Sequence, residues 1–260
     1  MKHSYRTLVV LLATTALTAA NGQSVPSTGA EVLQRMHDAY AGKWYRTLTF
    51  VQTTTLYRGG TPTVSTWYES LRHTDAFGTQ LRIDMGEPAA GNGVLYTADS
   101  LWRMRDGKLA MANGSGNVFL PLIEGVYMQP VARTIAQLKM TNVDMSRVTS
   151  GRWQDRAVWI VGVSSASDTV SPQFWIDTQR SVVVRMIVAA APGSPPLDIH
   201  LDGYVALGGG WLATKVAMSV GGAPRQTEEY SAWKADITLP STLFDLATWT
   251  TGPHWAAKPH

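Results

Sequence analysis

Apolar residues change their spacing several times along the chain. Val32, Leu33, Met36, Tyr40 and Trp44 recur at helical intervals, preceded by Thr28 and Glu31 in a capping-box relation, with Gly42 near the end. This predicts one amphipathic helix over about 29–43, with an apolar stripe that must lie on something. From Thr47 the period becomes two, with Leu48, Phe50 and Leu56 on one face and Thr47, Thr49, Thr53 and Thr55 on the other. Gly59-Gly60 marks a hairpin turn, and the strand returns from Thr63 to Leu71. Leu81, Ile83 and Met85 alternate with Arg82 and Asp84, which reads as a half-buried strand. Val94 to Thr97, Leu101 to Arg105 and Lys108 to Ala112 follow, the last two joined by Asp106-Gly107, a type I′ hairpin signal. On the strand from Leu101, the charged face carrying Arg103 and Arg105 is expected outside.

A second helical region follows the loop from Ala112 to Asn117. Leu122, Ile123, Val126 and Tyr127 form an apolar cluster, Pro130 opens a new helix, and Val131, Ile135 and Leu138 continue at i, i+4 and i+7. After Asn142 alternation returns in strands near 144–152, 156–165, 172–177, 182–190, 197–207, 211–220 and 225–234. Turns fall at Asp177 to Arg180, Gly208 to Gly210 and Gly221 to Pro224. The pattern is mainly β (α+β): about 10–11 antiparallel strands in a meander, a number that forces the sheet to curl. An open half-barrel results, with an N-terminal helix and an inserted helical lid over its concave face.

Composition adds compartment. Lys2 and Arg6, an apolar run from Leu8 to Leu12 and small residues up to Ala20 have the layout of a secretory signal peptide. The run is too short for a membrane span, which takes roughly 20 helical residues. The expected organisation is a signal peptide over 1–22, a single domain over 23–250 and a loose tail over 251–260. Losing Lys2 and Arg6 lowers the formal charge from +3 to +1, which argues against a dedicated nucleic-acid role. There is no cysteine, so thiol catalysis, thiolate metal sites and a lipid-attachment cysteine are all excluded. A soluble, exported, periplasmic protein is the expectation.

Motifs of catalysis are missing. There is no Gly-x-Ser-x-Gly elbow, no phosphate-binding loop and no His-Glu-x-x-His helix. Gly114-Ser115-Gly116 reads as turn chemistry. Asp198, His200 and Asp202 share a strand face and have the spacing of metal ligands, but a solvated stripe has the same pattern, and no metal or cofactor is assigned. Glu228 and Glu229 are neighbours on a strand and point to opposite faces, so they are not a carboxylate pair. Ten tryptophans and ten methionines fit a wide β core first, and the lining of an apolar groove second.

Several stretches resemble the LolA-like family of periplasmic outer-membrane lipoprotein-sorting carriers. They are the leading helix running into Leu48-Thr49-Phe50-Val51-Gln52, the strand Leu81 to Met85, Val94 to Trp102, and Phe174-Trp175-Ile176-Asp177 with Val182 to Met186. The close from Tyr230 to Lys234, through Leu239-Pro240 to Phe244, is also similar. The resemblance implies a half-barrel closed by helices, holding acyl chains of a lipid or lipidated protein and doing no covalent chemistry. It further implies a monomer working with membrane-anchored donor and acceptor proteins. Its lid-locking arginine has Arg72 as the nearest counterpart, although the surrounding pattern departs from the family's, with no proline after it and a longer loop to Leu81.

Inward-facing, lipid-binding candidates are Phe50, Ile83, Trp102, Met104, Leu212, Val216 and Met218 from strands, with Leu122, Ile123, Val126 and Ile135 from the lid. No catalytic residue is assigned. Two other functions stay open: an envelope interaction or stress-sensor module without cargo, and a hydrolase built from scattered Asp, Glu and Ser.

Overall fold

A computed structural model describes residues 24–97, 99–114, 116–191 and 193–256. The expected signal peptide lies outside them. The elements are α1 (Gly29–Tyr40), β1 (Thr47–Leu56), β2 (Thr63–Thr74), β3 (Gly78–Met85), β4 (Gly93–Tyr96), β5 (Leu101–Arg105), β6 (Lys108–Asn113), α2 (Val126–Met128) and α3 (Val131–Leu138). They continue with β7 (Val148–Trp153), β8 (Arg156–Val161), β9 (Gln173–Asp177), β10 (Val182–Val188), β11 (Leu197–Asp202), β12 (Val205–Leu207), β13 (Gly210–Leu212), β14 (Lys215–Val220) and β15 (Ala223–Ala235).

Thirteen strands form one open antiparallel sheet in the order β6-β5-β4-β3-β2-β1-β15-β14-β11-β10-β9-β8-β7, with β12 and β13 as a separate hairpin. The count exceeds the ten or eleven expected, and the runs expected over 197–207 and 211–220 each break in two, giving β11 and β12, and β13 and β14. Gly203, at φ 65°, ends β11 and separates it from β12. β1 is the seam, pairing with β2 on one side and β15 on the other. Consequently β6 and β7, which are consecutive strands, lie at opposite edges of the sheet. The segment linking them has to cross the sheet's width, and it carries the lid.

α1 starts as its sequence implies, with Thr28 Oγ1 accepting from Glu31 N–H at 3.2 Å, but Glu31 reaches back to Ser27 N–H at 2.8 Å rather than to Thr28. The helix ends at Tyr40, short of 43, and Gly42 turns the chain at φ 73°. Val32, Leu33 and Met36 are buried in the main core with Trp159, Phe174 and Val183. The lid comprises a π-helical turn over Pro121–Gly125 running into α2, and then α3.

The far side of the sheet is also covered. After Pro240 the chain packs across the convex face of β3 to β5, where Leu243, Phe244 and Trp249 join Leu95 and Met104 in a second cluster. Two expectations are corrected by this cover. β3 is buried on both faces rather than one, so Arg82 and Asp84 are 2% and 0% exposed. Residues 251–256 are not a loose tail: His254 Nε2 is 3.1 Å from Asp84 Oδ2, and Trp255 Nε1 donates to Ser70 Oγ at 2.7 Å. Gly93 records how close the cover comes. A Cβ there would lie 2.2 Å from the Ile83 carbonyl and 2.9 Å from the Trp249 ring.

Candidate functional site

Between the concave face and the lid is a cavity of about 340 Å³, within the size range of small-ligand sites. The sheet supplies Leu48 and Phe50 from β1, Trp67 and Leu71 from β2, Leu81, Ile83 and Met85 from β3, and Val94 from β4. Across the seam come Val216 and Met218 from β14, and Met186 from β10. The roof is Phe119, Leu120, Ile123 and Tyr127. Strict alternation puts these side chains together, since residues i and i+2 share a face and opposed residues in adjacent strands stand side by side.

One roof residue is charged in water. Glu124 is buried and accepts from Trp44 Nε1 and from Tyr45 Oη, both at 2.8 Å. Burial dominates those two hydrogen bonds and raises its carboxyl to about 7. The lid is tied down elsewhere by Tyr127, whose hydroxyl donates to the Ser181 carbonyl at 2.9 Å while its ring stacks on Trp44 at 3.7 Å. The Val126 carbonyl lies 2.9 Å from His37 Nδ1 of α1.

At another end of the lining are Glu69 of β2 and Glu228 of β15, both buried, with Gln226 and Tyr230 beside Glu228. Burial pushes Glu69 well above the usual carboxylate range, and the neighbouring Glu228 pushes it further. Burial raises Glu228 as well, against the hydrogen bonds from Tyr230 and Gln226. Among the described residues that line the cavity there is no Lys, Arg or His.

Of the residues expected to face inward, Phe50, Ile83, Ile123, Leu212, Val216 and Met218 do line this space. Leu122 and Val126 are wholly buried behind it in the main core, and Ile135 packs on that core from α3. Trp102 and Met104 are corrections. They sit on the convex face with Leu95 and Trp249, while Leu101 and Arg103 share the face of Val94 and Tyr96. Alternation separates the two faces of β5 but does not say which is concave. The apolar cover from residues beyond Pro240 makes the convex face the greasier one.

Arg72 is the third correction. Its guanidinium lies over the Phe244 ring at 4.3 Å and its Nε donates to Gln80 Oε1 at 2.8 Å, on the side of β2 away from the lid. It holds the convex cover, not the lid. Asp198 is taken by Arg185, which donates to both carboxylate oxygens at 2.9 and 2.7 Å, and Asp202 accepts from Gln154 Nε2 at 2.8 Å. The sequence reading passed over Glu69, although its alternation with Trp67 and Leu71 places it on their face.

No protein-family model matches the chain, and no curated protein matches its sequence. Solved structures do match its fold. A domain named as an outer-membrane lipoprotein-sorting protein, from Vibrio parahaemolyticus, superposes with a TM-score of 0.59 at 11% identity, covering 85% of this chain and 98% of that one. A DUF1329 family protein from Desulfovibrio piger gives 0.57 at 13% identity, over 84% and 95% of the two chains. The fold of this protein is therefore the one these two structures share, an open antiparallel half-barrel with helical elements across its concave side.

Proposed function

We propose that the protein is a carrier that takes up the acyl or alkyl chains of a lipid or lipoprotein beneath its lid and moves them through the periplasm. The observation that carries this reading is the apolar cavity closed by a segment that spans the sheet from edge to edge. A roof anchored by a handful of hydrogen bonds can lift without unfolding the sheet. Each methylene buried is worth about 0.8 kcal/mol, so a chain of a dozen carbons offers roughly 10 kcal/mol before ordering costs. That supports tight yet reversible capture. The role needs no covalent chemistry and no cofactor, and its partners are the cargo and membrane-anchored donor and acceptor proteins, served by a monomer. The described residues contain no helix long and apolar enough to cross a membrane, which says nothing of β-strands.

Native mass spectrometry of protein purified from an exporting host, followed by organic extraction, tests this. Reproducible lipid masses are expected, lost in Ile123→Asp and kept in Trp102→Asp, because Trp102 faces away from the cavity. A clean apo mass that also fails to bind the neutral dye N-phenyl-1-naphthylamine would sink the carrier reading. A cargo-free interaction module is the second reading. It draws on edge strand β6, all six residues of which are exposed, Leu109 and Met111 among them. A stable protein partner held by a chain with an empty cavity would favour it.

A further inference from the structure

Two buried acceptor groups at the Glu69 end of the cavity lack a donor, the Glu69 carboxyl and Gln52 Oε1. Glu69 and Glu228 flank β1, the first opposite Phe50 and the second opposite Thr54, so both carboxyls stand on the concave face. Glu69 is 5% exposed, lines the cavity, and has no hydrogen-bond partner among the described residues. Glu228 already has a donor on each oxygen: Gln226 Nε2 and Tyr230 Oη each donate to it at 2.5 Å. On the strand between them, Gln52 gives its Nε2 to Thr54 Oγ1 at 2.8 Å, which leaves its Oε1 buried and unpartnered. Gln52, Gln226 and Tyr230 thus each spend a donor within this group.

We propose that this end of the cavity receives the ammonium group of a cationic amphiphile, which donates to Glu69 beside Glu228 while its alkyl chain lies over the apolar lining. The inference rests on the carrier reading and narrows its cargo. An ammonium has donors only, three of them, and fits a site whose buried acceptors lack donors. A fatty carboxylate is the opposite case, since it would add an anion to a lining with three carboxyls and no cation. The other titratable groups around the lining are Glu124 in the roof, Tyr96 of β4, Tyr127 of α2, Tyr204 between β11 and β12, and Tyr230 of β15. The cations acting on any of them are Arg103 on Tyr96 and Arg156 on Tyr204, both outside the lining. In the empty cavity burial keeps the Glu69 carboxyl protonated into a higher range than usual. Ammonium uptake therefore releases a proton, and strengthens as pH rises through the raised range in which that carboxyl titrates.

Displacement of N-phenyl-1-naphthylamine by dodecylamine, dodecanol and dodecanoate tests both the chemistry and its premise. The amine should bind about tenfold or more tighter than the alcohol, the margin of a charge-assisted hydrogen bond, and the carboxylate weakest. Glu69→Gln should erase the amine's advantage while dodecanol stays within about twofold. Glu228→Gln should reduce that advantage, and the wild-type pH slope supplies a readout that needs no variant. Equal binding of amine and alcohol, preference for the carboxylate, or an amine affinity that ignores pH would overturn the proposal and leave a carrier of other cargo. Failure of all three compounds to displace the dye would overturn the carrier reading itself.

Discussion

At the scale of a residue, Glu124 couples the lid to protonation. Its carboxyl is raised from 4.5 to about 7 because burial outweighs the bonds from Trp44 and Tyr45. Between those values the folded chain holds a proton that the unfolded chain has released. The stability it contributes is complete below 4.5 and is lost as pH rises through 7. For a fully buried group the loss is on the order of 3 kcal/mol. Glu124→Gln removes the titration and keeps an acceptor for one of the two donors. Wild type should therefore lose stability relative to this variant as pH is raised across that interval, in paired urea titrations. Parallel curves for the two proteins would show that Glu124 is ionised in the fold throughout. His73 shifts the other way, its burial lowering it to about 4, and the paired comparison cancels it.

At the scale of an element, the lid is a set of short helical pieces rather than a domain. α2 has only three residues and α3 eight, too short to be helical on their own. Their order comes from contacts with the sheet and α1. Tyr127 separates the two kinds of contact. Tyr127→Phe keeps the ring on Trp44 and removes the hydrogen bond to the Ser181 carbonyl, at a cost of about 1 kcal/mol. Stopped-flow dye binding should then show faster association and release, with the affinity for an alkyl chain little changed. Unchanged rates would mean that the lid opens by another joint. This element was legible in the sequence because Leu122, Ile123, Val126 and Ile135 keep a helical spacing that survives in the structure. Which strand face they cover was less so. Phe50, Ile83, Val216 and Met218 lie on strands whose other face is polar, and there alternation points the right way. On β5 the face with Leu101 and Arg103 is the concave one although its arginines are exposed, and Trp102 and Met104 fall on the other.

At the scale of the whole molecule, the sheet is a layer with two covers that do different work. The concave cover leaves room beneath it, whereas the convex cover over β3 to β5 is fastened by a buried cation. Arg82 donates to both oxygens of Asp84 at 2.8 and 2.7 Å, and to the carbonyls of Leu243 and Trp249 at 2.8 Å each. Its guanidinium also lies 3.8 Å from the Trp249 ring centre. None of this could be read from Leu81 to Met85 alone, because an Arg and an Asp at alternate positions usually mark a solvated face. The partners that bury them lie some 160 residues further along the chain. Removing one member of a buried pair strands the other, typically at 3–5 kcal/mol, so Arg82→Ala should lower stability by about that much. Limited proteolysis should then cut beyond Pro240 first, since four polar ties to that segment and to Asp84 are lost together. Dye binding per folded molecule should be unchanged, because the cavity is on the other face of the sheet. If Arg82→Ala instead emptied the cavity at undiminished stability, the two covers would be coupled and the division of labour between them would be wrong.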